Sequence, residues 1–388
     1  MTFCHYQESI SPHMMPLMRA LVARLGEDEV RYVYVQDLEE ERRALGWSDA
    51  SKPLWTLDAR REPDKARLWL ESCPCLMSGC RDLDLFERRA RKNLPTFYSG
   101  ERWFKPIPFF RGCFDLPGCF RLFSPRYFHM ASRMRRLLCG NMPFYYLPDG
   151  VLAARDMVRV LKWFAGNMMP LDVVCSRVPG GRVLNYGRMI EHIRLWGYFV
   201  EPSMQKKVYS RSASDASILK ILWVGRMVDW KRVDTIVRAV RFLQRKSDGD
   251  VTVTIVGNGP ERLRLENFAK GVPVGFMDSV PISEVRALMR QHDVYVLPSD
   301  GGEGWGAAVN EALEEGMHVL GTYEAGSSAT LLDDADLFHA GDWRHLARLL
   351  TRCVKEKQAG TLKGQGIGEW SAAAAADRLL ALIEEVKK

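Results

Sequence analysis

From Ile218 onward the chain alternates short apolar runs with segments of helical period, and this alternation restricts the fold more than any other feature. The runs Ile218–Val224, Val251–Val256, Val272–Val274, Val294–Leu297 and Val319–Leu320 read as buried parallel strands, continuous rather than alternating. Helix-like segments lie between them at Arg232–Arg245, Glu261–Lys270, Ser283–Gln291 and Ala307–Glu315, with Ser283 as a capped start and Gly316 as a stop. Strand and helix in strict succession make a doubly wound α/β domain. The first half repeats the pattern with more noise. Strands are expected at Thr2–Tyr6, Val30–Val35, Pro74–Met77, Pro95–Tyr98 and Val173–Cys175, and helices at His13–Leu25, Leu83–Lys92 and Val151–Phe164. No element is assigned between Phe104 and Leu147.

At 388 residues the chain exceeds one ordinary core, so two domains are expected. The polar, aperiodic stretch Ser210–Ser217 reads as their linker. Residues 1–208 form the first domain, 209–370 the second, and the alanine-rich segment 371–388 a final helix that crosses back to the first. No apolar run approaches the ~20 residues of a membrane span, and Met1–Glu8 lacks the pattern of a secretory leader, so a cytoplasmic protein is expected. Nine scattered cysteines then read as reduced thiols, and Cys73, Cys75 and Cys80 as packing residues without zinc spacing.

The loop Ser299-Asp300-Gly301-Gly302-Glu303-Gly304-Trp305-Gly306-Ala307 follows one strand and opens the helix that carries Glu311. Its glycines admit close approach of an anion, and the first N–H groups of the helix point toward it. Glu303 and Glu311, eight positions apart, can accept hydroxyls on either side. A second loop, Trp223-Val224-Gly225-Arg226 to Lys231, sets an arginine and a lysine five positions apart, suited to two phosphates. Glycine-rich loop and solvated glutamates are the plainer alternative for the first, and a basic helix entrance for the second.

The spacing Glu-Gly-Trp-Gly-x4-Glu after Pro-Ser, with Gly-Arg-x4-Lys upstream, resembles the retaining glycosyltransferases of family 4, which have the GT-B fold: two Rossmann-like domains facing across a cleft. The matches run from about Ile218 to Leu332. The resemblance implies a nucleotide-diphosphate sugar as co-substrate, with Arg226 and Lys231 on the diphosphate, Glu303 on the sugar, and Glu311 on the ribose. Gly304, Trp305, Gly306 and Ala307 would line the donor, with Gly225, Gly257 and Gly259 around the nucleotide. The family usually has glycine where Arg232 stands, and often paired glycines where this chain has Gln7–His13.

On the acceptor side His13, Glu101 and Arg102 are candidates. With two cations for the phosphates, no metal and no cofactor are expected. The aspartate pairs Asp82/Asp84, Asp248/Asp250 and Asp334/Asp336 fall away from the strand-end motifs. Gly257-x-Gly259, with Asp278 about twenty residues on, also mimics a dinucleotide fingerprint, but Arg262 stands at its third glycine. An NAD-dependent oxidoreductase is therefore a distant alternative. A nucleotide-sugar-binding regulatory or assembly protein without turnover is the nearer one.

The net charge of +7 lies entirely in residues 1–205, with 30 Lys and Arg against 23 acids. It concentrates between Arg102 and Arg136, where eight basic residues meet one acid and nine aromatics. That mixture suits an anionic membrane surface and a lipid-linked or glycan acceptor, with attachment on the inner face; aromatic core with a basic rim is the alternative. Nucleic acid is not expected as a partner.

Overall fold

The computed structural model describes residues 2–38, 40, 43, 52–101, 125–139, 142–157, 192–204, 218–246 and 250–387. The expected strand Val173–Cys175, the linker Ser210–Ser217, Arg102 and most of the basic aromatic window lie outside these residues. The chain divides into two compact units. The first comprises 1–38, 49–197 and 372–388, and the second 39–48 and 198–371.

Among the described residues the first unit holds six parallel strands in the order β3-β2-β1-β4-β5-β6: β1 Phe3–Gln7, β2 Val30–Tyr34, β3 Thr56–Asp58, β4 Cys75–Ser78, β5 Thr96–Gly100 and β6 Phe144–Pro148. The sequence reading has no counterpart for β3 and β6. The helix Ala372–Lys387 belongs to this unit and buries Ala375, Ala376, Leu379 and Ile383. Arg24, in the last turn of the helix Met15–Leu25, holds Asp377 at 2.5 Å and the Ala373 carbonyl at 3.0 Å.

Arg89 explains the cysteine cluster. Fully buried, it donates to the carbonyls of Leu70, Cys73 and Pro95 and to Thr96 Oγ1, all at 2.8–3.0 Å. Cys73 and Cys75 are therefore neighbours of a buried guanidinium that ties a helix end to two strand starts. Each carbonyl lost from this set would leave a charged donor without solvent, which is costly.

The second unit repeats the plan in the order β9-β8-β7-β10-β11-β12: β7 Ile218–Val224, β8 Asp250–Val256, β9 Val274–Met277, β10 Val294–Leu297, β11 His318–Thr322 and β12 Leu337–Phe338. All pairings are parallel. Ile236, Val237, Val240 and Leu243 recur at helical spacing along Asp234–Lys246 and meet Ile221, Trp223 and Val253 in one core.

The sequence reading has no counterpart for β12 or for the helix Trp343–Gln358, and other details differ from it. β9 begins where the expected strand Val272–Val274 ends. β8 alternates, with Thr252 exposed between Val251 and Val253. The helix Ile282–Gln291 starts one residue before Ser283, with Pro281 at its N-cap position and no side-chain cap. Proline ahead of the first turn presets the backbone there, so the serine is not needed for the start.

In each sheet the chain leaves the central strand in both directions. β8 and β9 lie on one side of β7, and β10 to β12 on the other. Loops at the carboxyl ends of β7 and β10 therefore diverge, and such divergence opens the crevice where ligands of doubly wound sheets bind.

Candidate functional site

The loop after β7 is fixed by the loop after β8. Gly225 N–H donates to the Val256 carbonyl at 3.0 Å, Met227 N–H to the Asn258 carbonyl at 2.7 Å, and Glu261 N–H to the Met227 carbonyl at 3.1 Å. The backbones approach so closely that only glycine fits: a Cβ on Gly257 would stand 2.0 Å from the Gly225 carbonyl oxygen, and one on Gly259 2.3 Å from that of Met227. The Gly257-x-Gly259 pair thus serves a backbone-on-backbone contact. Arg262, at the third glycine of the rival fingerprint, pairs with Asp278 at 2.5 Å and reaches the Gly257 carbonyl at 3.1 Å. The acid that a dinucleotide ribose would need already has a cationic partner.

Beyond Met227 the chain makes a single 3-10 turn, Asp229–Lys231, and leaves it through Arg232 in the left-handed conformation at φ 47°. Glycine is the easiest residue at such a φ, which accounts physically for its usual presence here in the family the sequence resembles. The turn is latched to the glycine-rich loop by Asp300 N–H, which donates to the Trp230 carbonyl at 2.8 Å. Lys231 Nζ forms an ion pair with Glu303 Oε2, and both side chains are largely buried. Ser299 Oγ donates to the same Glu303 oxygen at 3.0 Å. Ser299 was not singled out in the sequence, although Pro-Ser before the loop marks its position. Arg226 is exposed and forms no side-chain ion pair among the described residues.

The helix Ala308–Glu314 follows Gly306. Trp305 does not present its ring to a ligand. Its indole is buried and donates to Asn310 Oδ1 at 2.7 Å, and Asn310 in turn donates to the Tyr198 carbonyl at 2.9 Å. Ser327 closes the loop from β11, its N–H donating to the Trp305 carbonyl at 2.9 Å and its Oγ to that of Gly306 at 3.0 Å.

Glu311 is buried in the same helix. Burial pushes its carboxyl up to about 7, the Arg286 guanidinium pulls it back, and the Glu315 carboxylate pushes it further. Arg286 and Arg290 are themselves committed to Glu315, at 2.5 and 2.7 Å. Burial thus favours the protonated form of Glu311, and hydroxyl donors would draw it toward the carboxylate.

Unit 1 presents its own candidates at strand ends. His13 lies half-buried in the turn ahead of the helix Met15–Leu25, its N–H bonded to Ser11 Oγ at 3.3 Å. Glu101 follows β5, half-buried. Near it stands Asp149, a residue the sequence reading passed over, at the end of β6. Burial raises the Asp149 carboxyl well above the usual range and the Glu101 charge adds to this, against a 3.4 Å hydrogen bond from Ser99 Oγ.

Among the described residues no group of three or more His, Cys, Asp and Glu has metal-binding geometry. Asp82 caps the helix Leu83–Arg91 through Leu85 N–H at 2.9 Å, and Asp336 is engaged by His318 and Arg352. In the described end of the basic window, Arg133 pairs with Asp84 and Glu87, and Arg136 approaches Glu87 at 3.7 Å. Arg133 is largely buried in its pairs, whereas Arg136 stays 68% exposed. No helix among the described residues is long and apolar enough to cross one.

Comparison with known proteins bears on the same region. Residues 219–356 match the family model of glycosyl transferases group 1. An uncharacterized glycosyltransferase of Methanocaldococcus jannaschii is 24% identical over 118 residues, which are 30% of this chain and 30% of that one. Solved structures align over the full length. The lipopolysaccharide outer core galactosyltransferase WaaB superposes with a TM-score of 0.59 at 12% identity, covering 99% of each chain. HepE of Anabaena, solved with UDP, superposes with a TM-score of 0.58 at 13% identity, covering 100% of this chain and 98% of the other. The fold is GT-B. Within that GT-B framework the group 1 match covers β7 through most of the helix Trp343–Gln358, the stretch holding Arg226, Lys231, Glu303 and Glu311.

Proposed function

We propose that this protein is a retaining, metal-independent glycosyltransferase that moves a sugar from a nucleotide-diphosphate sugar to a glycan or lipid-linked acceptor in surface polysaccharide or glycolipid assembly. The observation that carries the reading is the Lys231–Glu303 ion pair, joining the loops after β7 and β10 beside the switch point of the sheet. The ion pair sets a lysine suited to a leaving diphosphate beside a carboxylate suited to sugar hydroxyls. The relatives' names and the UDP in HepE support the substrate class.

On this reading the donor's diphosphate takes over the charge of Lys231, Arg226 swings in from solvent, and Glu303 is released toward the sugar. Growing negative charge on the leaving phosphate is met by the two cations, the term that usually dominates such catalysis. Glu311 takes the ribose hydroxyls. The acceptor hydroxyl attacks from the leaving-group side and passes its proton to the diphosphate oxygen.

The test is a screen of UDP-, GDP- and ADP-sugars for hydrolysis and transfer, repeated with Arg226→Ala and Lys231→Ala. One nucleotide should support turnover, and each variant should lose at least tenfold in kcat/KM, the loss expected for a charge-assisted contact of about 1.5–3 kcal/mol. Binding without turnover in every donor series would favour a regulatory nucleotide-sugar-binding protein instead. Attachment to an anionic membrane belongs to the same proposal and rests on the basic aromatic window Arg102–Arg136; sedimentation with anionic liposomes at low salt, and release at high salt, is the expected result.

A further inference from the structure

Trp230 is an anomaly in the second unit. Trp223 and Trp305 are buried, yet Trp230 stands 41% exposed. It is not a loose surface residue. The 3-10 turn that carries it is held by Lys231 N–H to the Val228 carbonyl at 3.0 Å, Arg232 N–H to the Asp229 carbonyl at 3.1 Å, and Asp300 N–H to the Trp230 carbonyl at 2.8 Å. The base of the indole lies against Gly302: a Cβ there would stand 2.9 Å from Trp230 Cβ and 3.0 Å from Cγ. The next residues in each strand-end loop are Lys231 and Glu303, which meet in the ion pair.

A half-exposed aromatic packed on Gly302, the residue before Glu303, matches the two-sided chemistry of a hexose. The pyranose ring has a rim of hydroxyls and a face of C–H groups. A carboxylate serves the rim, and an indole serves the apolar face. A nucleobase would suit an indole too, but the proposed place of the ribose is Glu311, buried in the helix that follows the loop, whereas Trp230 adjoins the group assigned to the sugar.

We propose that the Trp230 indole is a stacking platform for the hexose ring of the donor, and so a specificity-determining residue for the transferred sugar. This inference rests on the nucleotide-sugar reading above. The experiment is isothermal titration of the full chain with UDP and UDP-glucose, GDP and GDP-mannose, and ADP and ADP-glucose. It compares the wild type, Trp230→Ala, Trp230→Phe and Lys231→Ala.

For the pair that binds, Trp230→Ala should leave the free diphosphate within twofold and weaken the sugar conjugate about three- to tenfold, the range for loss of one aromatic contact. Trp230→Phe should recover most of it. Lys231→Ala should weaken both ligands. If Trp230→Ala weakens diphosphate and conjugate equally, or neither, the platform is refuted while the site stands. If Lys231→Ala alters neither ligand, or none of the pairs binds the wild type, the nucleotide-sugar reading fails and the platform with it.

Discussion

Replacing Glu311 by Gln should stabilise the protein while weakening its grip on the donor, and the stabilisation should depend on pH in a predictable direction. In the folded chain the Glu311 carboxyl titrates at about 7, against 4.5 in an unperturbed peptide, chiefly because it is buried. Raising a carboxyl by that amount corresponds to about 3 kcal/mol between its protonation states. The folded form binds the proton more tightly than the unfolded form, so stability falls as pH rises from about 4.5 through 7. Below pH 4.5 both states are protonated and this cost is absent. Above pH 8 the wild type bears it in full, and Gln, nearly the same shape and always neutral, does not. The variant and wild type should therefore melt together at pH 4.5. At pH 8 the variant's second-unit transition should lie higher by roughly 6–12 °C, since 1 kcal/mol moves a domain of this size by about 2–4 °C. Differential scanning calorimetry across that range is the assay. An offset that does not change with pH, or a variant less stable at pH 8, would refute a buried and ionising Glu311. The same variant should bind the donor nucleotide more weakly at pH 8, and wild-type affinity should itself decline below pH 7 as Glu311 takes up a proton.

Gly257→Ala would force a methyl group against the Gly225 carbonyl, so a loss above about 3 kcal/mol or failure to accumulate in soluble form is expected; wild-type behaviour in urea unfolding would show that the two loops are not in contact. Arg232→Gly should be more stable than Arg232→Ala by about 1 kcal/mol, because both lose the contact to Asp234 but only alanine keeps the strain of φ 47°. Transfer activity should survive excess EDTA, with Arg226 and Lys231 neutralising the diphosphate, whereas loss restored by Mn²⁺ would assign that role to a metal.

How much of this was legible beforehand varies with the physics behind each element. β7, β10 and β11 were readable because strands buried on both faces need apolar residues throughout. β3 and β12 were not, since two or three residues at a sheet edge carry no period. β6 hid in the aromatic run Phe144–Tyr146, which is as compatible with a core helix as with a strand. Lys231 and Glu303 could be picked out by motif, and the structure brings them together. The neutral-range titration of Glu311 could not, because it comes from burial that no local pattern encodes. Trp230 carries no such signal either, since its exposure beside the buried Trp223 and Trp305 comes from the fold and not from the local sequence.

The discontinuity of the first unit has a consequence for how the chain is made. All six described strands of its sheet have left the ribosome once β6 has, but the helix Ala372–Lys387, which packs on Met15–Leu25, is translated only after residues 198–371 of the second unit. The second unit can fold as it emerges, whereas the first must wait with the apolar face of Met15–Leu25 uncovered for more than 200 residues of synthesis. Chaperone demand during production should therefore fall on the half made first. A stop codon before Ala372 should spare the sheet that carries Lys231 and Glu303 and compromise the one that carries His13 and Glu101.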